Sequence, residues 1–449
     1  MLLHDIFHTI LKDAFEVKEL GGRMLLEKSK KLKWGELCVT VITILMIYQP
    51  VLEQVFLSAK WFDELAALLI LLFGLLINKF GDKITREECG ILVGLFIYNI
   101  FGWISSFVYE YQNLTISLSA WFLANKYFML MIGGYLCSMK WEQIICSSVK
   151  KSARWVLVSI LLWQTIGKIM GLPMFDVLSL IARVVAILGI IIWDWRGKGD
   201  FVFFAISLLL FLSTRKAKAV GAIIVFICVY LVVEVFQKRI RLTQIMITAV
   251  VCIVALWKKI YLYYISGAKV NYPRPTLFYQ GFLLANQYFP LGTGWGTFGS
   301  HFANVCYSPV YDIIGWNNMR DFSGERAIAF LTDAYWPGVY CETGWFGLIG
   351  ILVTLVAIYY YVQKIYLHDK KMYMAGMFFL GYMMITTIES TAFSHPATNC
   401  IGAGLGVMLG MERKISNKNY LLYRHAGVRP VRPAKGVSPR RRKSCTERE

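Results

Sequence analysis

Long runs of apolar residues recur along almost the whole chain and are separated by short polar segments. Runs of about 17–25 residues have the length of an α-helix that crosses the hydrocarbon core of a bilayer. The runs are continuously apolar and do not alternate, which favours membrane-spanning helices over a β-barrel. The pattern predicts about twelve spans, of which 200–213 is short: 37–57, 64–80, 89–108, 118–139, 154–171, 174–194, 200–213, 217–236, 242–262, 342–363, 373–391 and 395–411.

One interval, 267–341, interrupts this pattern. It contains no membrane-length apolar run and is rich in glycine and aromatic residues. Loops of this length usually carry function or are disordered. Disorder fits poorly, because this interval has many aromatic residues that bury surface: Trp295, Phe298, Tyr307, Tyr311, Trp316, Tyr335 and Trp336. We therefore expect the chemistry of the protein to lie in this interval, at one face of a membrane.

Composition supports the same class of protein. Hydrophobic residues make up 57% of the 449 residues, and the mean hydropathy is +0.54, which excludes an ordinary soluble domain. We predict an all-α integral membrane protein of about 12 transmembrane helices with one large periplasmic loop between spans 9 and 10. The predicted segments are a cytoplasmic N-terminal segment (1–36), spans 1–9 (37–266), the loop (267–341), spans 10–12 (342–411) and a basic cytoplasmic tail (412–449).

The net charge of +19 suggests nucleic acid until the positions of the charges are considered. If the N-terminus lies in the cytoplasm, most of the 47 lysine and arginine residues fall in cytoplasmic segments, including the tail from Arg413. This distribution follows the positive-inside rule and places both termini in the cytoplasm. The tail resembles a solvated arm near anionic lipid. We therefore predict membrane lipid, and no nucleic acid, as a partner.

A few basic residues contradict this rule and face outward. The hairpin after span 7 carries Arg215, Lys216 and Lys218, and the large loop carries Lys269, Arg274, Arg320 and Arg326. Phosphate is a natural partner for such residues, because guanidinium binds it bidentately and stays charged. The alternative is that the hairpin cations only reach to lipid headgroups.

Metal and redox motifs are absent from the sequence pattern. The ten cysteines show no paired spacing. Cys306 and Cys341 could pair in an oxidising compartment, although two free thiols are favoured. No Asp-x-Asp motif or histidine cluster occurs in the outward segments, so we expect neither a metal nor another cofactor.

Two ionisable residues, Arg183 and Glu389, lie inside predicted spans. Ionisable groups at this depth usually face a partner or a cavity. The partner of Arg183 could be a lipid phosphate or a carboxylate.

A glycine-rich motif lies within the large loop. Gly294, Gly296 and Gly299 fit the spacing G-x-G-x-x-G of dinucleotide-binding folds. Proline and glycine precede the motif and membrane spans surround it, so a βαβ unit is excluded. The glycines instead predict a tight turn, with Phe289 and Phe298 holding it at the bilayer surface.

Three features together resemble the O-antigen polymerase and ligase superfamily, the integral-membrane enzymes of bacterial surface-polysaccharide assembly. The first is Arg215 after a short span, and the second is Arg274, which opens the large loop ahead of the turn PLGTGWGTFGSH. The third is the signature Glu342-Thr-Gly-Trp-Phe-Gly-Leu348 at the start of the next span. The resemblance covers residues 200–363 in detail.

The resemblance implies a metal-independent glycosyltransferase of the bacterial cytoplasmic membrane. Its substrates would be a donor and an acceptor oligosaccharide, each linked to a polyprenyl pyrophosphate, and a chain-length regulator protein is a candidate partner. Arg215 and Arg274 would hold the leaving pyrophosphate. The candidate substrate-binding residues are Lys218, Arg326, Glu342 and Trp295.

The general base has two candidates. The ligase branch has a histidine nine residues before the glutamate, and this sequence has Asp333 there, which favours a polymerase. Asp333 stands before a span, where burial would raise its pKa, and it is the first candidate; it could instead pair with Arg326 or Arg320. His301 is the alternative base. Glu342 is also interpreted as a structural carboxylate at a helix start.

The loop aromatic residues also have two interpretations. Residues such as Trp295, Trp316, Tyr335 and Trp336 could stack on sugar faces, but a belt at the membrane interface is favoured for most of them.

Two other functions compete with a polymerase that builds O-antigen, capsular or exopolysaccharide. A flippase for the same lipid-linked oligosaccharide would share the span count and the cations. Transporters usually show paired repeats and broken helices in two halves, and no such correspondence joins 37–213 and 217–411. An O-antigen ligase is disfavoured because Asp333 replaces the histidine.

Overall fold

The computed structural model describes residues 23–56, 61–78, 84–268, 272–319, 322–323 and 330–425. Helices dominate these ranges, and no β-strand occurs within them. In chain order the α-helices are α1 Arg23–Val55, α2 Phe62–Ile77, α3 Arg86–Tyr109, α4 Leu114–Met170, α5 Val177–Trp193, α6 Phe201–Thr214, α7 Ala217–Tyr230, α8 Leu242–Ala255, α9 Trp257–Ile260, α10 Pro273–Gln287, α11 His301–Val305, α12 Pro309–Ile313, α13 Tyr335–Ile365, α14 Lys370–Glu389 and α15 Asn399–His425. Lys269, Arg320 and Arg326 lie outside the described residues.

Five of the described helices are long and apolar enough to cross a membrane: α1 from Trp34, α3, α4, α7 with its π-helical extension to Val235, and α13. A sixth span results if α8 and the segment Trp257–Ser266, which are bent by 70° at their junction, count as one. The chain is thus an all-helical protein with several membrane-length apolar helices. The count of twelve spans stays a prediction.

Helix α4 extends through the segment that separates two predicted spans. It contains 57 residues and is interrupted at Trp141, where φ is −118° and ψ is 35°. The residues between 139 and 154 are helical although they are polar. Hydropathy marks which residues avoid water, whereas a polar helix satisfies its own backbone hydrogen bonds and needs no apolar sequence.

Two helix pairs pack closely through glycine. Between α3 and α13, a Cβ on Gly94 would lie 2.4 Å from Oγ1 of Thr354. Between α4 and α15, a Cβ on Gly406 would lie 1.9 Å from the carbonyl oxygen of Met131. Small residues of this kind let helix backbones approach each other in membranes. Helix α5 is surrounded by protein, because every residue from Ser179 to Trp193 is buried.

The interval 267–341 builds a second, smaller core from short helices. Phe298, Tyr311 and Trp316 are fully buried in it, and Tyr311 stacks on Trp316 with ring centroids 5.3 Å apart. The expectation that Phe298 lies at the bilayer surface is therefore wrong, whereas Phe289 is 62% exposed.

The favoured belt interpretation is also wrong for three aromatic residues of this interval. Trp295, Trp316 and Tyr335 are buried inside the protein. Their aromatic area packs against neighbouring helices, which sequence composition cannot distinguish from packing against lipid.

Candidate functional site

The glycine-rich motif forms the tight turn that its sequence predicts. Gly294, Gly296 and Gly299 have φ values of 97°, 76° and 65°, in the left-handed region that favours glycine. Gly292 N–H donates to Oγ of Ser105 at 3.0 Å, and Trp295 N–H donates to Oγ of Ser106 at 2.8 Å. The turn is thereby fixed on α3.

A break in α13 holds the other side of the turn. Gly344 has φ 68° and ψ −177°, which are not helical values. The break leaves backbone carbonyls of the preceding turn available. Cys341 C=O accepts from Thr293 N–H at 2.7 Å, and Glu342 C=O accepts from Gly294 N–H at 2.9 Å.

Glu342 points into this turn. Its side chain is buried, and Oε1 accepts from the N–H groups of Thr297 and Phe298 at 3.0 and 3.1 Å. Trp295 is buried beside it, with its indole ring 5.1 Å from the ring of Tyr98. Both residues are candidates for substrate contact; the structure places Trp295 in the packing behind the turn, whereas Glu342 also lines a neighbouring cleft.

A cleft of about 400 Å³, open solvent included, lies beside the turn. Parts of α3, α4 and α13, the turn, and the connection between α14 and α15 line it; the lining includes Tyr98, Ser300, His301, Tyr335, Thr391 and Ser394. His301 is exposed at this cleft. Partial loss of hydration among the surrounding atoms, with a contribution from the charge of Lys126, lowers the pKa of His301 below its usual 6.5.

Asp333 and Arg274 come together near the cleft. The distance from Nε of Arg274 to Oδ2 of Asp333 is 3.3 Å, and the side chains are 16% and 30% exposed. The guanidinium group also lies over the ring of Tyr263, 5.1 Å from its centroid. The start of α10 and the segment before α13, 59 residues apart in sequence, therefore meet at one ion pair.

Three further charges act on Asp333, those of Lys218, Glu389 and Lys216. Burial raises the pKa of Asp333 above its usual 3.8 and exceeds the opposing effects of Arg274 and Lys218, while the charge of Glu389 adds to the increase. Oε2 of Glu389 accepts from the backbone N–H of Lys218 at 3.2 Å, which joins the end of α14 to the start of α7. We call Asp333, Arg274, Lys218 and Glu389 the Asp333 cluster.

Arg215 lies apart from Arg274. Its side chain is exposed, its φ of 54° ends α6, and its carbonyl accepts from Nζ of Lys259 at 3.0 Å. Within the described ranges, no ion pair or hydrogen bond joins Arg215 to Arg274 or Asp333. Lys218 and Lys216 are the hairpin cations whose charges reach Asp333, and the effect of Lys218 is the larger.

His395 is a residue of this region that no sequence pattern selects. It lies in the α14–α15 connection, and its Nδ1 accepts from Ala397 N–H at 3.2 Å. Burial, together with the charge of Lys218, lowers its pKa to about 4, so its imidazole is neutral at pH 7. Its place in this region becomes evident only in the folded protein, where it lies between the end of α14 and the start of α15.

The described residues contain no group of three or more His, Cys, Asp and Glu side chains placed to hold a metal ion. Cys306 and Cys341 are free thiols, and Cys341 is buried next to Thr293.

Arg183 lies deep in α5, where its only hydrogen bond in the described part of the chain goes from Nη1 to Sγ of Cys400 at 2.9 Å. A separate buried group of charges forms around Lys126, whose Nζ pairs with Asp63 and, at 2.8 Å, with Glu64. These groups lie inside the helix bundle, and none of them lines the cleft.

Neither the family models nor the curated proteins compared with this chain give a match.

Proposed function

We propose that the chain is a membrane glycosyltransferase of the polysaccharide-polymerase type, similar to the O-antigen polymerases. It joins oligosaccharide units linked to polyprenyl pyrophosphate at the outer face of a bacterial cytoplasmic membrane. The observation that carries the proposal is the convergence of Arg274, Asp333 and Lys218, which come from three distant parts of the chain.

The Asp333 cluster suits an anionic leaving group. Arg274 and Lys218 supply two cations, of which Lys218 is buried and Arg274 is 16% exposed, so that their fields are little screened by water. Fixed cations stabilise the negative charge that develops on a departing diphosphate. Arg215, exposed at the end of α6, adds a third cation for a lipid-linked diphosphate that approaches along the membrane surface.

The transfer step uses these residues as follows. A hydroxyl oxygen of the acceptor sugar attacks the anomeric carbon of the donor sugar. The bond from that carbon to the diphosphate oxygen breaks, and polyprenyl diphosphate leaves with the bonding electron pair. Asp333 takes the hydroxyl proton, which its raised pKa favours. The diphosphate replaces Asp333 as the partner of Arg274, and this exchange frees the carboxylate to act as the base.

Replacement of Arg274 by alanine tests the proposal. We expect surface glycan reduced to single repeat units, because the leaving group loses its guanidinium partner. Arg239→Ala is the matched control, since Arg239 stacks on Tyr366 at 5.0 Å and belongs to no part of the Asp333 cluster. Glycan length is measured on gels, with membrane insertion checked by immunoblot. Polymer of normal length in the Arg274→Ala strain rules out the role of Arg274, and polymer of normal length in the deletion strain rules out a polymerase.

A transporter of the same lipid-linked units is the second candidate. Broken helices, at Gly344 in α13 and at the 70° bend after α8, favour it, as does the buried ion pair of Lys126 and Asp63. The deletion strain distinguishes the two. Loss of a polymerase leaves single units on the cell surface, whereas loss of a flippase leaves them inside the cell.

A further inference from the structure

The cleft beside the glycine turn has a lining suited to sugar. Its polar groups include the hydroxyl-bearing residues Tyr98, Tyr335, Ser300, Thr391 and Ser394, with His301 beside them. Hydroxyl groups both donate and accept hydrogen bonds, which matches the hydroxyl groups of a carbohydrate. Aromatic side chains provide apolar area for the C–H faces of a sugar ring.

The charge of the cleft differs from that of the Asp333 cluster. No lysine or arginine lines the cleft in the described part of the chain, and its one carboxylate, Glu342, is bonded to the turn. The Asp333 cluster, in contrast, brings Arg274 and Lys218 to one carboxylate. The charge of the cleft lining therefore suits an uncharged glycan, and the charge of the Asp333 cluster suits a diphosphate.

The two compartments are neighbours. Asp333 is separated from Tyr335, which lines the cleft, only by Ala334, an extended residue with φ −152° and ψ 141°. The α14–α15 connection joins them a second time, because it contributes Thr391 and Ser394 to the cleft and begins just after Glu389 of the Asp333 cluster.

We infer that this cleft binds the sugar of the acceptor that carries the attacking hydroxyl, while the Asp333 cluster binds the diphosphate of the donor. The inference rests on the proposed function and adds a substrate to each compartment. It makes Ser300, Thr391 and Ser394 acceptor-binding residues.

The test measures the binding affinity of two ligands for the purified full-length protein in nanodiscs. The glycan probe is the oligosaccharide released by partial acid hydrolysis of the host strain's surface polysaccharide, and the diphosphate probe is farnesyl diphosphate. Ser394→Phe fills the cleft and should weaken binding of the oligosaccharide about tenfold or more while leaving farnesyl diphosphate within about twofold. Lys218→Met should weaken binding of farnesyl diphosphate and leave binding of the oligosaccharide nearly unchanged. The unsubstituted protein should bind both probes at the same time.

Ser119→Phe, the same substitution on α4 outside the cleft, is the matched control. If Ser394→Phe fails to fold, as judged by its thermal unfolding, Thr391→Val removes one cleft hydroxyl without added volume. Unchanged oligosaccharide affinity in the folded cleft variant, or mutually exclusive binding of the two probes, overturns the inference.

The two proposals fail differently. Normal polymer from the Ser394→Phe strain refutes the acceptor site and leaves the polymerase intact. Oligosaccharide bound in the cleft, together with polymer of normal length in the deletion strain, supports a sugar site and refutes the proposed function.

Discussion

At the scale of single residues, Asp333 has the environment of a base. Burial raises its pKa, and its only ion-pair partner in the described chain, Arg274, also suits a substrate phosphate. His301, the other candidate, is exposed and carries a lowered pKa. The pKa of Asp333 shifts upward and that of His301 downward, so the two move toward each other and substitution is needed to distinguish the two candidate bases.

The dependence of the transfer rate on pH is the first prediction. If Asp333 is the base of the proposed transfer, its ionised carboxylate is the active form, so the rate rises with pH through its raised pKa, above the ordinary 3.8, and then reaches a plateau. Asp333→Asn should abolish this acid limb and lower the rate by a factor on the order of 10²–10⁴. The rate of polymerisation in membrane vesicles buffered between about pH 4 and about pH 8 measures this dependence. His301→Gln should keep the limb; the opposite pattern would make His301 the base.

The second prediction concerns Glu342. Glu342→Ala leaves the buried N–H groups of Thr297 and Phe298 without an acceptor, which costs about 1–3 kcal/mol each. Glu342→Gln keeps an acceptor oxygen and should retain most of the stability. Thermal unfolding in detergent measures the difference. If Gln is as harmful as Ala, the negative charge and not the hydrogen bonding is required.

At the scale of elements, the break in α13 decides how the large loop docks. The non-helical Gly344 interrupts a helix of 31 residues and leaves the Cys341 and Glu342 carbonyls to the glycine turn. A continuous helix would use these carbonyls for its own i→i+4 bonds. The turn, and the cleft beside it, therefore depend on one backbone conformation in the following element.

The third prediction replaces Gly344 by alanine. Its φ of 68° is strained for alanine, and the added Cβ would lie 2.8 Å from the Pro290 carbonyl oxygen, so the turn must move. Gly315→Ala is the control, because Gly315 has a similar φ of 75° but no atom within 4 Å of its Cβ. We expect the control to lose about 1–2 kcal/mol and Gly344→Ala clearly more. Equal unfolding midpoints for the two variants would contradict this account.

At the scale of the whole molecule, buried charges connect helices that are distant in sequence. Lys126 on α4 pairs with Asp63 on α2, and Asp63 also accepts from Asn399 of α15 at 3.0 Å and Gln49 of α1 at 2.7 Å. Four helices therefore share one carboxylate in the bundle. Such a network is costly to disrupt, since a charge that loses its partner stays buried.

The fourth prediction removes the cation of this network. Lys126→Met should destabilise the protein by about 3–5 kcal/mol, because Asp63 is left buried without its cation. Lys151→Met breaks a largely exposed pair with Glu36 at 3.5 Å and should cost less than about 1 kcal/mol. Thermal unfolding in nanodiscs compares them, and the double variant Asp63→Asn, Lys126→Met should recover part of the loss. Equal losses for the two single variants would contradict the role of the network.

Much of the fold class follows from the sequence alone. Continuous apolar runs predict helices, because an apolar segment in lipid must satisfy its backbone hydrogen bonds internally. The glycines at 294, 296 and 299 predict a tight turn, since their spacing and residue type are local properties. The same local pattern failed for Phe298 and Trp295, whose aromatic rings fit a bilayer surface and a protein core equally well.

The candidate site shows what only the tertiary structure decided. Sequence selected Arg215, Arg274 and Asp333 by residue type, but packing paired Arg274 with Asp333, brought Lys218 near them and left Arg215 exposed. It also buried Glu342 behind the turn and placed His395 beside Lys218. Hydropathy and turn preference act over a few neighbouring residues, whereas the pairing of charges depends on where distant helix ends meet.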